Sequence, residues 1–166
     1  VRCDSRHGAY DLTKLLIELG HQRIAMITGP EGVSTSDDRV IGYHQAMNEA
    51  GLLVFEKVFH GSYTQVGGHD LAIQAMQLES PPSALFGANN FISIGILKAL
   101  RELGLRVPED MAVVSFDDLP DSLVVEPILT VAAQPAYEMG QTATQLLLEL
   151  ISGEVVQEHQ EVILPI

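Results

Sequence analysis

Apolar residues recur along this chain in two rhythms. In the first they fall three and four apart. Leu12, Leu15, Leu16 and Leu19 form one such stripe, Ile92, Ile96, Ala99, Leu100 and Leu103 a second, and Met139, Ala143, Leu146, Leu147 and Leu150 a third. That spacing lines one face of an amphipathic helix. Ser36 to Ala50 and Gln65 to Leu78 read as further helices. In the second rhythm the apolar residues are contiguous and the runs are short: Ile24 to Ile27, Ala84 to Phe86, Met111 to Phe116 and Leu129 to Ala133, with Val54 to Phe59 less uniform. Runs without polar alternation predict strands buried on both faces, as in a parallel sheet covered by helices. Three phrases join the two rhythms: "IELGHQRIAMI", "NEAGLLVFEKV" and "RELGLRVPEDMAVV". Each carries a glycine where the helical stripe ends, the place where a left-handed residue stops a helix at little cost. Helix and strand alternate throughout, which predicts an α/β fold with right-handed crossovers.

In such sheets ligands bind beyond the carboxyl ends of the strands. Those ends are Thr28-Gly29-Pro30, Gly61-Ser62-Tyr63, Gly87-Ala88-Asn89-Asn90, Asp117-Asp118 and Gln134-Pro135. The stretch "GPEGVS" has neither the Gly-Lys-Ser/Thr of a phosphate-binding loop nor a G-x-G-x-x-G dinucleotide fingerprint. Ser34 and Ser36 lack a nucleophile elbow, and the six histidines are scattered without metal-ligand spacing. No catalytic or metal-binding residue and no cofactor is expected, and the chain does not read as an enzyme. What remains is Arg39 with a fork of donors, Tyr63 with an aromatic face, Asn89 with a donor and an acceptor, and Asp117 as a bidentate acceptor. Sites for polyhydroxylated or heterocyclic ligands combine groups of these kinds. Taken singly, each reads first as an ordinary surface or capping residue, and Arg39 could pair with Asp38 or Glu31.

Composition narrows the partners. The chain has 166 residues, enough for a real core, and 46% are hydrophobic. It carries 22 acidic residues against nine Lys and Arg, a net charge of -13. That balance argues against direct contact with nucleic acid or an anionic membrane surface. Cys3 is the single cysteine, so no internal disulfide is possible. The opening "VRCDSRHGAY" has no initiator Met and reads as the beginning of a fragment.

Four stretches share a further property. "GAYDLTKLLIELGHQRIAMITGP", "DDRVIGYHQAMNEAGL", "PSALFGANNFISIGILKALRELGLRVPEDMAVVSFDD" and "EPILTVAAQP" resemble, in order, the lactose-repressor/galactose-repressor family of bacterial transcription regulators. The resemblance runs from about Asp4 to the C-terminus. It implies a periplasmic-binding-protein-like effector domain, of which this chain is mostly the C-terminal doubly wound parallel-sheet subdomain. In that reading residues 4–132 form this subdomain. Residues 133–159 supply a helix and strand to the N-terminal subdomain, and residues 160–166 return as the last strand. A helix-turn-helix region that binds operator DNA would precede the chain, in the cytoplasm. The effector positions implied are Arg39, Tyr63, Asn89 and Asp117, with Thr35 on the loop before Arg39. The effector would be a small sugar-like molecule. Four departures from the family pattern stand out: Val33 where the purine-binding relative has arginine, Asn90 for Asp in "A-N-D", Val131-Ala132 for Thr-Ile, and Ala136 for an aromatic residue.

Regulators of this family pair side by side. The implied homodimer patch joins Ser93 and Leu97, on the outer side of the helix after Asn90, to Leu119, Leu123 and Val124 in a loop expected to be exposed. Leu97 and Leu123 could instead pack beneath that loop. A periplasmic sugar-binding protein of a transport system shares the fold and is the alternative function.

Overall fold

The computed structural model describes residues 1–119, 129–153 and 161–166. After the short strand β1 (Arg2–Cys3), helices and strands alternate: α1 (Ser5–Glu18), β2 (Ile24–Thr28), α2 (Ser34–Glu49), a 3-10 turn at Leu53–Phe55, β3 (Lys57–His60), α3 (Gln65–Met76), β4 (Ala84–Gly87), α4 (Asn90–Glu102), β5 (Ala112–Phe116), β6 (Thr130–Ala132), α5 (Ala136–Ser152) and β7 (Ile163–Leu164). Five strands form one parallel sheet in the order β3-β2-β4-β5-β6.

The uniform apolar runs follow from burial on both faces. Ile24, Met26, Ala84, Phe86, Val114 and Phe116 point into a core with Leu12 and Leu16 of α1 and Tyr43 and Met47 of α2. Ala25, Ile27, Leu85 and Val113 point the other way, toward Ala72 and Ala75 of α3 and Ile92, Ile96, Ala99 and Leu100 of α4. Tyr43 is fully buried, and its hydroxyl donates to the Ile24 carbonyl at 2.7 Å. The helix-stop glycines behave as their position requires: Gly20, Gly51 and Gly104 have φ of 93°, 71° and 74°.

Several expectations change. Leu19 and Leu103 extend their stripes in sequence, but they lie 66% and 47% exposed. Both are C-cap residues, where the chain is already turning away from the helix axis. The apolar run before β3 opens as the 3-10 turn, and the strand itself starts only at Lys57. β7 does not join the main sheet. It pairs in parallel with β1 through Arg2↔Ile163 and Cys3↔Leu164, a two-stranded sheet absent from the sequence reading.

Helix α5 has no buried residue. Tyr137, Leu147, Leu148, Leu150 and Ile151 are each more than half exposed. Covering such a side chain is worth about 1.5–3 kcal/mol. The isolated chain is therefore expected to sediment as dimers or larger species at micromolar concentration. A monomer at 18.0 kDa would show that α5 finds its cover within the chain.

Between α3 and α4 lies a charged clasp. His69 bonds to Asp70 through Nδ1 and to Glu102 through Nε2, each at 2.9 Å. These bonds, the Asp70 one foremost, raise the His69 pKa above its ordinary 6.5. A raised folded-state pKa stabilises the fold below the unfolded value, and the gain disappears as pH rises through the folded value. Thermal unfolding of wild type and His69→Gln should differ most at mildly acidic pH and converge in alkali. A constant difference across pH would show that the ring acts by packing alone.

Candidate functional site

The strand ends converge as parallel topology requires, and Arg39 lies at their centre. It sits on the second turn of α2 and is only 3% exposed. Its guanidinium lies 3.7 Å above the centre of the Phe116 ring. One terminal nitrogen donates to the Ala88 carbonyl at 2.5 Å, at the end of β4. Its Nε has no partner among the described residues. Burial pulls the Arg39 pKa below its ordinary value, while Asp117, and then Tyr63, push it back. A buried cation with an unmet donor is costly to the fold.

Asp117 follows β5 with φ of 66°. Among the described residues it is the one non-glycine in the left-handed region, a strained choice that clusters at functional sites. Its backbone nitrogen donates to the Ala132 carbonyl at 3.0 Å, and the Ser115 hydroxyl donates to its carbonyl at 3.2 Å. Both bonds hold the turn. Asp117 and Asp118 both line an open cleft of ≈ 400 Å³ with Ala133, Gln134, Ala136 and Met139. Asp118 also caps its own turn, accepting from the Leu119 nitrogen at 2.8 Å.

On the other flank, Tyr63 lies against Gly29, where any Cβ would run into the ring. Its hydroxyl is 3.3 Å from Thr35 Oγ1. Asn89 is the N-cap of α4, and its Oδ1 accepts from the Ile92 nitrogen at 2.8 Å. Its amide hydrogens have no partner among the described residues. Asn90 is not idle either: its Nδ2 donates to the Asp118 carbonyl at 3.2 Å, a bond that an aspartate could not make. Arg39, Asp117, Tyr63 and Thr35 therefore share one region, with Asn89 beside the Ala88 carbonyl.

The expected dimer patch is divided. Ser93 is fully buried, because its hydroxyl donates to Ser115 Oγ at 2.7 Å and bonds the Asn89 carbonyl at 2.8 Å. Leu119, expected in an exposed loop, is 6% exposed. Neither presents a surface to a partner. Leu97 is half-buried, while Leu123 and Val124 lie outside the described residues.

Phe116 and Gln134 are the site residues that sequence reasoning did not assign. Phe116 announced itself only as the last residue of an apolar strand. Gln134 stood among the strand ends, but an uncharged amide gives no signal there. At the opposite end of the sheet, Arg23, Val54, Phe55, Lys57, Leu78 and Pro82 line a second groove. Both of its cations are exposed, and no buried polar group faces it. Among the described residues no group of three His, Cys, Asp or Glu could hold a metal ion, and no helix is long and apolar enough to cross a membrane.

The model of the periplasmic binding protein-like domain matches residues 13–166. The HTH-type transcriptional repressor CytR of Escherichia coli K12 is 35% identical over 157 residues, 94% of this chain and 46% of its own length. PurR of Haemophilus influenzae is 36% identical over 158 residues, 93% and 47%. The chain thus spans about half the length of these relatives. Among solved structures, a LacI family transcriptional regulator from Enterococcus faecium with bound ribose superposes with a TM-score of 0.87 at 28% identity, covering 99% of this chain and 61% of that one. The transcription regulator CcpA of Lactococcus lactis gives 0.86 at 31%, covering 97% and 59%. Family match and parallel-sheet topology agree: the chain belongs to the periplasmic binding protein-like domain family, in the form carried by lactose-repressor/galactose-repressor transcription regulators.

Proposed function

We propose that this chain is the effector-binding part of a cytoplasmic, dimeric, ligand-responsive transcription regulator, and that the effector is a small polyhydroxylated molecule of the pentose or nucleoside kind. The observation that carries this reading is Arg39, buried to 97% with an unpartnered Nε, beside an Asp117 whose second carboxylate oxygen is not engaged by any described residue. A donor fork and a carboxylate in one region match adjacent hydroxyls, each of which both accepts and donates. Tyr63 adds a face for the ring. The ribose bound to the Enterococcus faecium relative is a ligand of this chemistry. Operator contact would lie outside this chain, whose net charge is -13.

Calorimetric titration of the gene product with D-ribose, D-galactose, cytidine and the free base cytosine tests the reading. Binding of at least one hydroxylated ligand, with none by the free base, is expected. A base that binds as well as its nucleoside would sink the assignment. So would the absence of all binding by sugars and nucleosides.

A further inference from the structure

Gln134 lies in the short link between β6 and α5, and its side chain joins two distant parts of the chain. Its Nε2 donates to Asp117 Oδ1 at 2.5 Å. Its Oε1 lies 3.2 Å from the Cys3 sulfur. A carboxylate can only accept, so the amide nitrogen must face Asp117. The amide oxygen then faces Cys3, and the thiol is the donor. The hydrogen bonds run in one direction, from the Cys3 S–H through the Gln134 amide to the Asp117 carboxylate. Bonds chained in this way polarise one another, so a change at one end alters the other.

Both ends are well placed for that. The Asp117 backbone is fixed at φ 66° by bonds from Ser115 and to Ala132. Its side chain, rather than its backbone, is therefore what can respond. Cys3 is 3% exposed and lies on β1, in register with Leu164 of β7. This two-stranded sheet stands apart from the main one, and α1 begins two residues beyond Cys3.

We infer that Gln134 is a positioning residue that holds the Asp117 carboxylate toward the cleft and relays its state to Cys3 and the β1–β7 pair. A donor arriving on Asp117 draws on the same negative charge. It weakens the Gln134 bond and with it the hold on the thiol. The ligand in this account rests on the effector reading above, whereas the relay exists without any ligand.

Cys3 provides the readout, through its rate of alkylation by iodoacetamide, followed by mass spectrometry of the peptide that carries it. Gln134→Leu should raise that rate on the order of five- to tenfold, as for loss of one hydrogen bond. Asp117→Asn should raise it in the same direction, although Asp117 does not touch Cys3. Asp11→Asn removes the same charge from an exposed site on α1 and should leave the rate unchanged. Thermal unfolding of each variant separates a local effect from global loosening. If Gln134→Leu unfolds, Gln134→Glu replaces it, since it keeps the size and loses the donor to Asp117. An unchanged rate in the Gln134 variant overturns the relay. So does a rise in that variant with none in Asp117→Asn, which would make Gln134 a shield only. In a second arm, saturating D-ribose should raise the wild-type rate and not that of Gln134→Leu. A ribose effect that survives in Gln134→Leu overturns the relay. Calorimetry showing no ribose binding counts against ribose as effector, and the ligand-free arm then decides the relay alone.

Discussion

Arg39→Ala is expected to weaken effector binding by about 1.5–3 kcal/mol, the worth of a hydrogen bond to a charged group. That corresponds to roughly a 10- to 150-fold higher Kd. Truncation to Ala also removes the stem that packs on Phe116, so the worth of the charge to the fold is read from a volume-conserving variant. The guanidinium is desolvated, its Nε is unmet among the described residues, and its anchors are the Ala88 carbonyl and the Phe116 ring. Replacing a buried charge by an apolar side chain of similar volume is often close to neutral. Arg39→Met keeps an apolar stem over Phe116 and should unfold within about 1 kcal/mol of wild type. Calorimetry and thermal unfolding on the same variants check both halves. Unchanged affinity in Arg39→Ala would place the pocket elsewhere. A large loss of stability in Arg39→Met would make Arg39 a structural residue.

Gly95→Ala should be among the most damaging single-methyl changes in the chain. Alanine in place of a helical glycine normally gains up to about 1 kcal/mol from propensity. Here a Cβ would overlap the Gln65 carbonyl oxygen and the His69 backbone nitrogen on α3. Gly68 makes the reciprocal approach, its missing Cβ facing the Ile92 backbone of α4. Backbone cannot rotate away as a side-chain tip can, so the two helices would have to separate. Overpacking of this kind costs about 1–3 kcal/mol and at times more, which outweighs the propensity gain. Gly140→Ala on α5 is the matched control. Nothing lies within 4 Å of a Cβ built there, so a gain of about 0.5–1 kcal/mol is expected. Denaturant midpoints give both signs. If Gly95→Ala stabilises, the α3–α4 contact is looser than its geometry requires.

The fold class could be read from sequence because its causes are local. Uninterrupted runs such as "IAMIT" and "ALFG" require cover on both faces, and with helices alternating between them a helix-flanked parallel sheet supplies it. The stops at Gly20, Gly51 and Gly104 were legible because a left-handed φ needs glycine. Arg39, Tyr63, Asn89 and Asp117 were legible as a group because ligand sites gather where parallel strands end. Their division of labour was not. That Asn89 spends its carbonyl oxygen on the Ile92 nitrogen follows from how α4 starts.

The sequence alone therefore determined the order of the elements, the buried strands and the edge of the sheet that carries polar chemistry. Each depends on neighbours within one turn of helix or one strand. Tertiary structure decided what depends on distant contact. Leu19 and Leu103 continue a helical stripe but end in solvent, because the core does not extend past the last turn. Ser93 looks like a surface residue until Ser115, 22 positions away, arrives to bury its hydroxyl. β1 is two residues long and becomes a strand only when Ile163 and Leu164 come beside it. Gln134 gains its place only when residues 17 positions before it and 131 positions before it meet at one amide, since a side chain's partners are set by the fold and not by its neighbours in sequence.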